Sequence, residues 1–284
     1  MKSLGIWLVR EQALALGEKL ASELGGTLVK PWQHSNSAKQ LFAESYKNYS
    51  HWIIVGAAGI AVRFLSDLIA DKHSDPAVVV VDEAGRFAVS LLCGHEGRGN
   101  QLAYSVASTL GAVPVVTTAT ESLKPLVLGI GCRKAVRAEQ IEAAVTAALG
   151  DLELTSVRHV ATIDLKRNEP GLLEFCQRHD LPLLVLSAGD IRARGWVTEP
   201  SAWVKAVTGA DGVCEPCALI SSLRGKLLVS KTVLDGVAVA VACDHCDSDD
   251  QDAQDLSDIQ NYQDLQDLRD HEAALLPANS QVPS

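Results

Sequence analysis

No stretch of this chain approaches the roughly 18 consecutive apolar residues that a membrane-spanning helix needs, so a bilayer is not an expected partner. The first residues, Met-Lys-Ser-Leu-Gly-Ile-Trp-Leu-Val-Arg-Glu, lack the pattern of a secretory leader and read as a first strand, which points to the cytoplasm. Nucleotide-binding loops are missing as well: no Gly-Lys-Ser/Thr follows a glycine turn, and the Gly-x-Gly-x-x-Gly order is absent. There is no basic excess. The formal net charge is −10, but the residues from Asp244 onward hold eleven Asp or Glu against one Arg, leaving the body with 24 charges of each sign. A neutral body with no basic stripe argues against nucleic acid. Seven cysteines (93, 132, 176, 214, 217, 243, 246), an odd number scattered over a long chain, suit a reducing compartment better than a disulfide scaffold.

What is present is an alternation of strand and helix patterns. At 284 residues the chain exceeds the usual single-domain size. The apolar runs and glycine stops predict strands near 3–9, 27–30, 51–56, 77–82, 87–92 and 113–117, with helices near 11–24, 38–49 and 100–110 between them. A hairpin turn is expected at 83–86. Beyond a polar segment ending in Pro125, a second set follows: strands near 126–130, 157–163, 181–186, 226–230 and 236–242, with helices near 137–149, up to His179, and from about 201 and 213. The expected fold is two three-layer α/β domains, the first with a mainly parallel sheet and the second mixed. Their bounds are 1–120 and 126–243, with a linker at 121–125. From 244 to 284 the composition turns to Asp, Gln, Ser and Asn, so a solvating, disordered tail is expected, although Leu256, Ile259, Tyr262, Leu265 and Leu268 recur every third residue.

The chain is organised around residues 89–103, Val-Ser-Leu-Leu-Cys-Gly-His-Glu-Gly-Arg-Gly-Asn-Gln-Leu-Ala, where a strand pattern meets a helix pattern through three glycines. Gly94, Gly97 and Gly99 would let a ligand approach the backbone, and a helix amino end attracts carboxylate or phosphate. His95 and Glu96 add an acid–base pair, or His95 simply caps a neighbour. In open α/β sheets ligands lie beyond the carboxyl ends of strands, so the turns at 56–59, 93–99 and 117–121 are expected to share one rim, with Arg63, Lys72, His73 and Asp75 close by or merely solvated. Together with 129–134, the turns at 56–59 and 93–99 are expected to line a cleft between the domains. Cys132 lies at another glycine turn, where a thiol is either a nucleophile of lowered pKa or a small packed residue.

Taken in order, Ile60-Ala-Val-Arg63, Asp71-Lys72, Asp75-Pro-Ala-Val-Val-Val-Val-Asp82, Gly85, Ser90-Leu-Leu, Gly94-His95-x-Gly97, Asn100-x-Leu-Ala103 and Thr117-Thr-Ala-Thr120 resemble the amino-terminal domain of the cobalt-precorrin-5A hydrolase family of anaerobic cobalamin biosynthesis. Gly129-Ile-Gly-Cys-Arg133, Ala161-Thr-Ile-Asp-Leu-Lys166, Glu169-Pro-Gly-Leu172, Glu215, Leu228-Val-Ser-Lys231 and Val239-Ala-Val-Ala242 resemble its carboxy-terminal domain. The chain departs from that pattern in two places. The middle domain usual in the family is missing between Thr120 and Leu126, and Arg98 and Gly99 stand where the family has Gly and Ala.

The resemblance implies hydrolytic opening of a δ-lactone on a cobalt corrinoid and release of acetaldehyde, with no cofactor of the protein's own because the cobalt arrives in the substrate. It also implies a tetrapyrrole as small-molecule partner and contacts with neighbouring enzymes of the pathway. His95 is the expected general base, with Glu215 or Lys166 as a second proton relay. Arg63, Lys72, Gly94, Gly97, Arg98, Asn100, Gly131, Cys132 and Arg133 are the expected substrate-binding residues, the cations serving carboxylate arms. Two other readings stand beside this one: a protein that binds or passes on a corrinoid without catalysis, and a zinc or redox protein built on Cys214-x-x-Cys217 and Cys243-x-x-Cys246. No metal site is assigned.

Overall fold

A computed structural model describes residues 2–194 and 197–244. The first sheet holds β1 (Lys2–Leu8), β2 (Thr27–Val29), β3 (Tyr49–Val55), β4 (Ala77–Val81), β5 (Phe87–Leu92) and β6 (Val113–Val115) in the order β2-β1-β3-β4-β5-β6. Between them run α1 (Leu14–Leu24), α2 (Ala38–Ser45), α3 (Ala58–Leu65) and α4 (Gly99–Leu110). After the short α5 (Ala119–Ser122), the second sheet is built from β7 (Leu126–Cys132), β8 (Val157–Ile163), β9 (Leu183–Leu186), β10 (Lys226–Leu234) and β11 (Val237–Cys243), in the order β10-β11-β7-β8-β9. Its helices are α6 (Ala138–Leu149), α7 (Pro170–Arg178), α8 (Ala188–Ala193), α9 (Ala202–Thr208) and α10 (Cys214–Ser221). The first sheet is mainly parallel and the second mixed.

One reversal decides where the first sheet presents its turns. β5 pairs antiparallel with β4, while β6 runs parallel to β5. The connection is too short to cross over. Asp82 Oδ1 accepts the Arg86 and Phe87 amides at 2.7 and 2.8 Å, and Gly85 has φ 67°, which turns the chain straight back. The end of β5 therefore lies beside the start of β4: Leu92 pairs with Val78, and a Cβ on Gly97 would sit 3.2 Å from Ala77 Cβ. Gly56, by contrast, donates to Val81 O at the far end of β4. The turns at 56–59 and 93–99 are thus on opposite edges of the sheet, and the expectation of one shared rim holds only for 93–99 and 117–121.

Both faces of the first sheet are buried. Trp7, Trp52, Ile54, Val78 and Val80 pack with Phe42 and Tyr46 on one face. Leu4, Ile6, Leu8, Ile53, Val55, Val79 and Val81 point to the other, as the two-residue period of a strand requires. This second face continues through Ala103, Val106 and Ala107 of α4 to Ala161, Ile163 and Leu184 of the second sheet, so one core cluster spans both sheets. Residues Met1–Asp244 accordingly form one compact unit.

Polar contacts give the direction of α4 across the second sheet. Near its start, Gln101 Nε2 donates to Asp180 Oδ1 at 2.5 Å, ahead of β9. Near its end, the Val185 amide donates to Ser108 Oγ at 2.9 Å, and Arg167 Nη2, past the end of β8, donates to Ser108 O at 2.9 Å. Between them Tyr104 OH lies 3.1 Å from His159 Nδ1. The 93–99 turn therefore sits by the N-terminal edge of β8 and β9. The 129–134 turn sits at the C-terminal edge of β7, which is parallel to β8. A cleft lined by both turns, expected from the sequence, is not formed.

Asp244, placed in the tail by composition, belongs to the body. Its carboxylate pairs with Arg158 and accepts from Ser222 Oγ, and its amide donates to Pro125 O. The remaining tail, 245–284, lies outside the described residues.

Candidate functional site

The turn after β5 is built by its own backbone. The Gly97 and Gly99 amides both donate to Cys93 O at 3.1 Å, and the Asn100 amide donates to Gly94 O at 2.9 Å. Cys93 and Arg98 take left-handed conformations, φ 52° and 61°. A Cβ on Gly94 would lie 2.6 Å from Asn100 Oδ1 and 2.8 Å from Thr118 Cγ2; one on Gly97 would lie 2.7 Å from Cys93 Cβ. The glycines are thus required for the turn to close on itself, rather than to admit a ligand as the sequence suggested. The first amides of α4 are also largely taken up by Cys93 and Gly94.

Asn100, 5% exposed, is the polar centre of this site. Its Nδ2 donates to Thr118 Oγ1 at 2.9 Å, while its Oδ1 is buried with no hydrogen-bond partner. Ser90 Oγ is in the same condition, 3.1 Å from where a Gly99 Cβ would be. Both oxygens are closed off inside the turn, where an unpaired polar atom costs stability. His95, Glu96 and Arg98 are exposed around it. Lys72 Nζ lies 2.9 Å from Glu96 Oε1, and that hydrogen bond holds the Glu96 carboxyl below its usual range. Arg98 Nη2 lies 3.7 Å from Asp180 Oδ1.

Arg63 is not part of this group. It is exposed on α3, which starts at the opposite edge, and Nη1 donates to Gly59 O of its own helix at 3.3 Å.

The residues predicted in the second half gather at the C-terminal edge of β7 and β8. Lys166 Nζ lies 3.0 Å from Glu169 Oε2, and Glu169 Oε1 accepts the Ala135 amide at 2.7 Å, where Ala135 has φ 62°. Cys132 is close to this pair. Burial pushes its thiol up to about 11, with Lys166 opposing and Glu169 reinforcing, so it is a protonated packed residue and not the activated nucleophile that its glycine turn suggested. Gly131 faces Val213, 3.3 Å from an added Cβ, and the Arg133 amide donates to Gly236 O at 2.9 Å.

Glu215 has a different part from the one expected. It is 1% exposed in the first turn of α10, with Oε2 accepting the Thr198 amide at 2.7 Å and Oε1 the Lys231 amide at 3.0 Å. Both oxygens are occupied in pinning 198 and β10 to α10. Neither Glu215 nor Lys166 is on the His95 edge, so the relay from these residues to His95 is not assembled.

Among the described residues no group of three or more His, Cys, Asp or Glu is placed to hold a metal ion. Cys214 and Cys217 are buried in α10, with the Cys214 thiol pushed up to about 12 by burial; Cys246, the last member of the four-cysteine reading, lies outside the described residues. The sequence reading missed Ser90, Asp180 and Glu169 as site residues and had Thr118 only as part of the rim turn 117–121. For Thr118 the signal was available, in the polar segment just past the sixth strand; Asp180 is 79 residues from its partner Gln101, and no spacing rule links them.

Comparisons with known proteins cover both halves. A family model described as Cobalamin synthesis G N-terminal matches residues 40–121, and one described as Cobalamin synthesis G C-terminus matches 126–242. A protein of Priestia megaterium named cobalt-precorrin-5A hydrolase is 24% identical over 308 aligned positions, taking in 73% of this chain and 82% of that protein. The alignment is longer than this chain of 284 residues, so the relative carries a segment that this chain lacks. A protein of the same name from Salmonella typhimurium is 52% identical over 87 residues, 31% of this chain and 24% of that protein. Protein CobE of Sinorhizobium sp is 32% identical over 118 residues, 40% of this chain and 77% of that protein.

Proposed function

The chain belongs to the cobalamin synthesis G family, and on that premise we propose that it is a cobalt-precorrin-5A hydrolase, which opens the δ-lactone of a cobalt corrinoid and releases acetaldehyde. The observation that carries this reading is the presence of both halves of the family in order, together with an alignment over 82% of the length of a relative named for that activity.

In the proposed reaction, water attacks the lactone carbonyl, the acyl–oxygen bond breaks, and the carbonyl carbon stays on the corrinoid as a carboxylic acid, which ionises to solvent. The alkoxide so released collapses to acetaldehyde by breaking its bond to the ring, and the ring carbon takes up a proton. His95 stands at the exposed lip of the turn after β5, where its imidazole can take the proton from water and return it to the ring carbon, which balances the step without a second relay. Lys72 and Arg98 supply positive charge for the carboxylate arms of the corrinoid and for the oxyanion. Cobalt is a part of the substrate in this scheme.

Incubation of the purified chain with cobalt-precorrin-5A tests the proposal. Equimolar acetaldehyde is expected, and a His95→Ala variant is expected to bind the corrinoid, seen by its visible spectrum, while releasing acetaldehyde about 10²–10⁴-fold more slowly. Binding without acetaldehyde in the parent chain would instead favour a carrier.

A further inference from the structure

Both cations that the turn after β5 offers to a ligand are already engaged by carboxylates. Lys72 pairs with Glu96, its neighbour in the first half. Arg98 faces Asp180, which comes from the second half just after α7 and holds a left-handed conformation, φ 49°. The same Asp180 Oδ1 takes a 2.5 Å hydrogen bond from Gln101 Nε2, in the first turn of α4, so this carboxylate is anchored over the helix start rather than loosely opposite the arginine. Arg98 itself sits at φ 61°, where glycine would be unstrained and an L-residue is not. Its long side chain therefore earns its place outside the local backbone.

The side chains of Arg98 and Asp180 are 70% and 68% exposed. An ion pair this open contributes little and exchanges readily with another carboxylate. An anion arriving at Arg98 competes with the Asp180 charge 3.7 Å away, whereas a neutral group has little to gain there.

Resting on the corrinoid reading above, we propose that Asp180 is a specificity-determining residue: anchored by Gln101, it lies against Arg98 in the empty protein and competes with a carboxylate arm of the ligand for that charge. Asp180 thereby moderates the preference that Arg98 gives to a free carboxylate at that position over an ester or amide.

The test uses the full chain and visible-spectrum titrations with a cobalt corrinoid bearing free carboxylate arms, and with the same corrinoid as its methyl ester. Asp180→Asn keeps an oxygen for Gln101 and removes the competing charge. It is expected to tighten binding of the carboxylate form about threefold or more, with the ester unchanged, and to have no effect in an Arg98→Ala background. Unchanged affinity in Asp180→Asn, an equal gain with the ester, or a gain that persists in the Arg98→Ala background would overturn the proposal. Failure of the parent and every variant to bind either corrinoid would overturn the corrinoid reading itself, and the role of Asp180 with it.

Discussion

At the scale of the residue, burial decides which ionisable groups can take part in chemistry. Cys132, with its thiol pushed up to about 11, is protonated at neutral pH. Cys132→Ser is expected to leave acetaldehyde release within a few fold of the parent, and the parent thiol to react with iodoacetamide at pH 8 more slowly than an unhindered cysteine; rapid alkylation with loss of turnover would contradict this. His159 is the opposite case of a buried base. Its imidazole is lowered to about 3, first by burial and then by Arg158, with Asp244 opposing, and it stays neutral against Tyr104 OH. Because the folded value lies below the ordinary value of about 6.5, its contribution is complete above that pH and is lost as pH falls toward 3, by up to about 1.4 kcal/mol per unit. Urea unfolding at pH 7, 6 and 5 should show this loss, and His159→Gln should remove that part of the slope.

At the scale of the element, close approach of backbones sets what substitution is tolerated. Gly129 in β7 carries α10 directly: an added Cβ would lie 1.8 Å from Cys214 O and 2.7 Å from the Ala218 amide. The Gly129→Ala change is expected to cost about 3 kcal/mol or more, because neither strand nor helix can yield alone. Gly131→Ala, meeting Val213 side-chain atoms at 3.3 and 3.5 Å and backbone only at 4.0 Å, should cost much less. Thermal melts of the two variants make the comparison, and equal losses would count against the packing described for α10.

The strands and most helices were readable from apolar period and glycine stops, since each is a local property. The placement of turns on edges was not, although one clue was present. The hairpin turn at 83–86 already implied that β5 runs against β4, which moves residues 93–99 to the opposite edge from 56–59. The engagement of Glu215 by the amides of Thr198 and Lys231, and the meeting of Arg98 with Asp180, depend on how distant segments pack, and no periodicity records that.

At the scale of the whole molecule, the described residues join two sheets through one core, with α4 as the shared layer. Asp244 closes the body where the acidic tail begins, pairing with Arg158 and accepting from Ser222. Asp244→Ala, which strands the partly buried Arg158, is therefore expected to cost roughly 3 kcal/mol, read as a lowered thermal midpoint. The central claim is that this chain, which lacks a segment present in its Priestia relative, still performs the hydrolysis. The most direct measurement is acetaldehyde formed on mixing the purified chain with cobalt-precorrin-5A. The account predicts one acetaldehyde per corrinoid consumed, formed about 10²–10⁴-fold more slowly by His95→Ala; a corrinoid that binds tightly and is recovered unchanged, with no acetaldehyde, would contradict it.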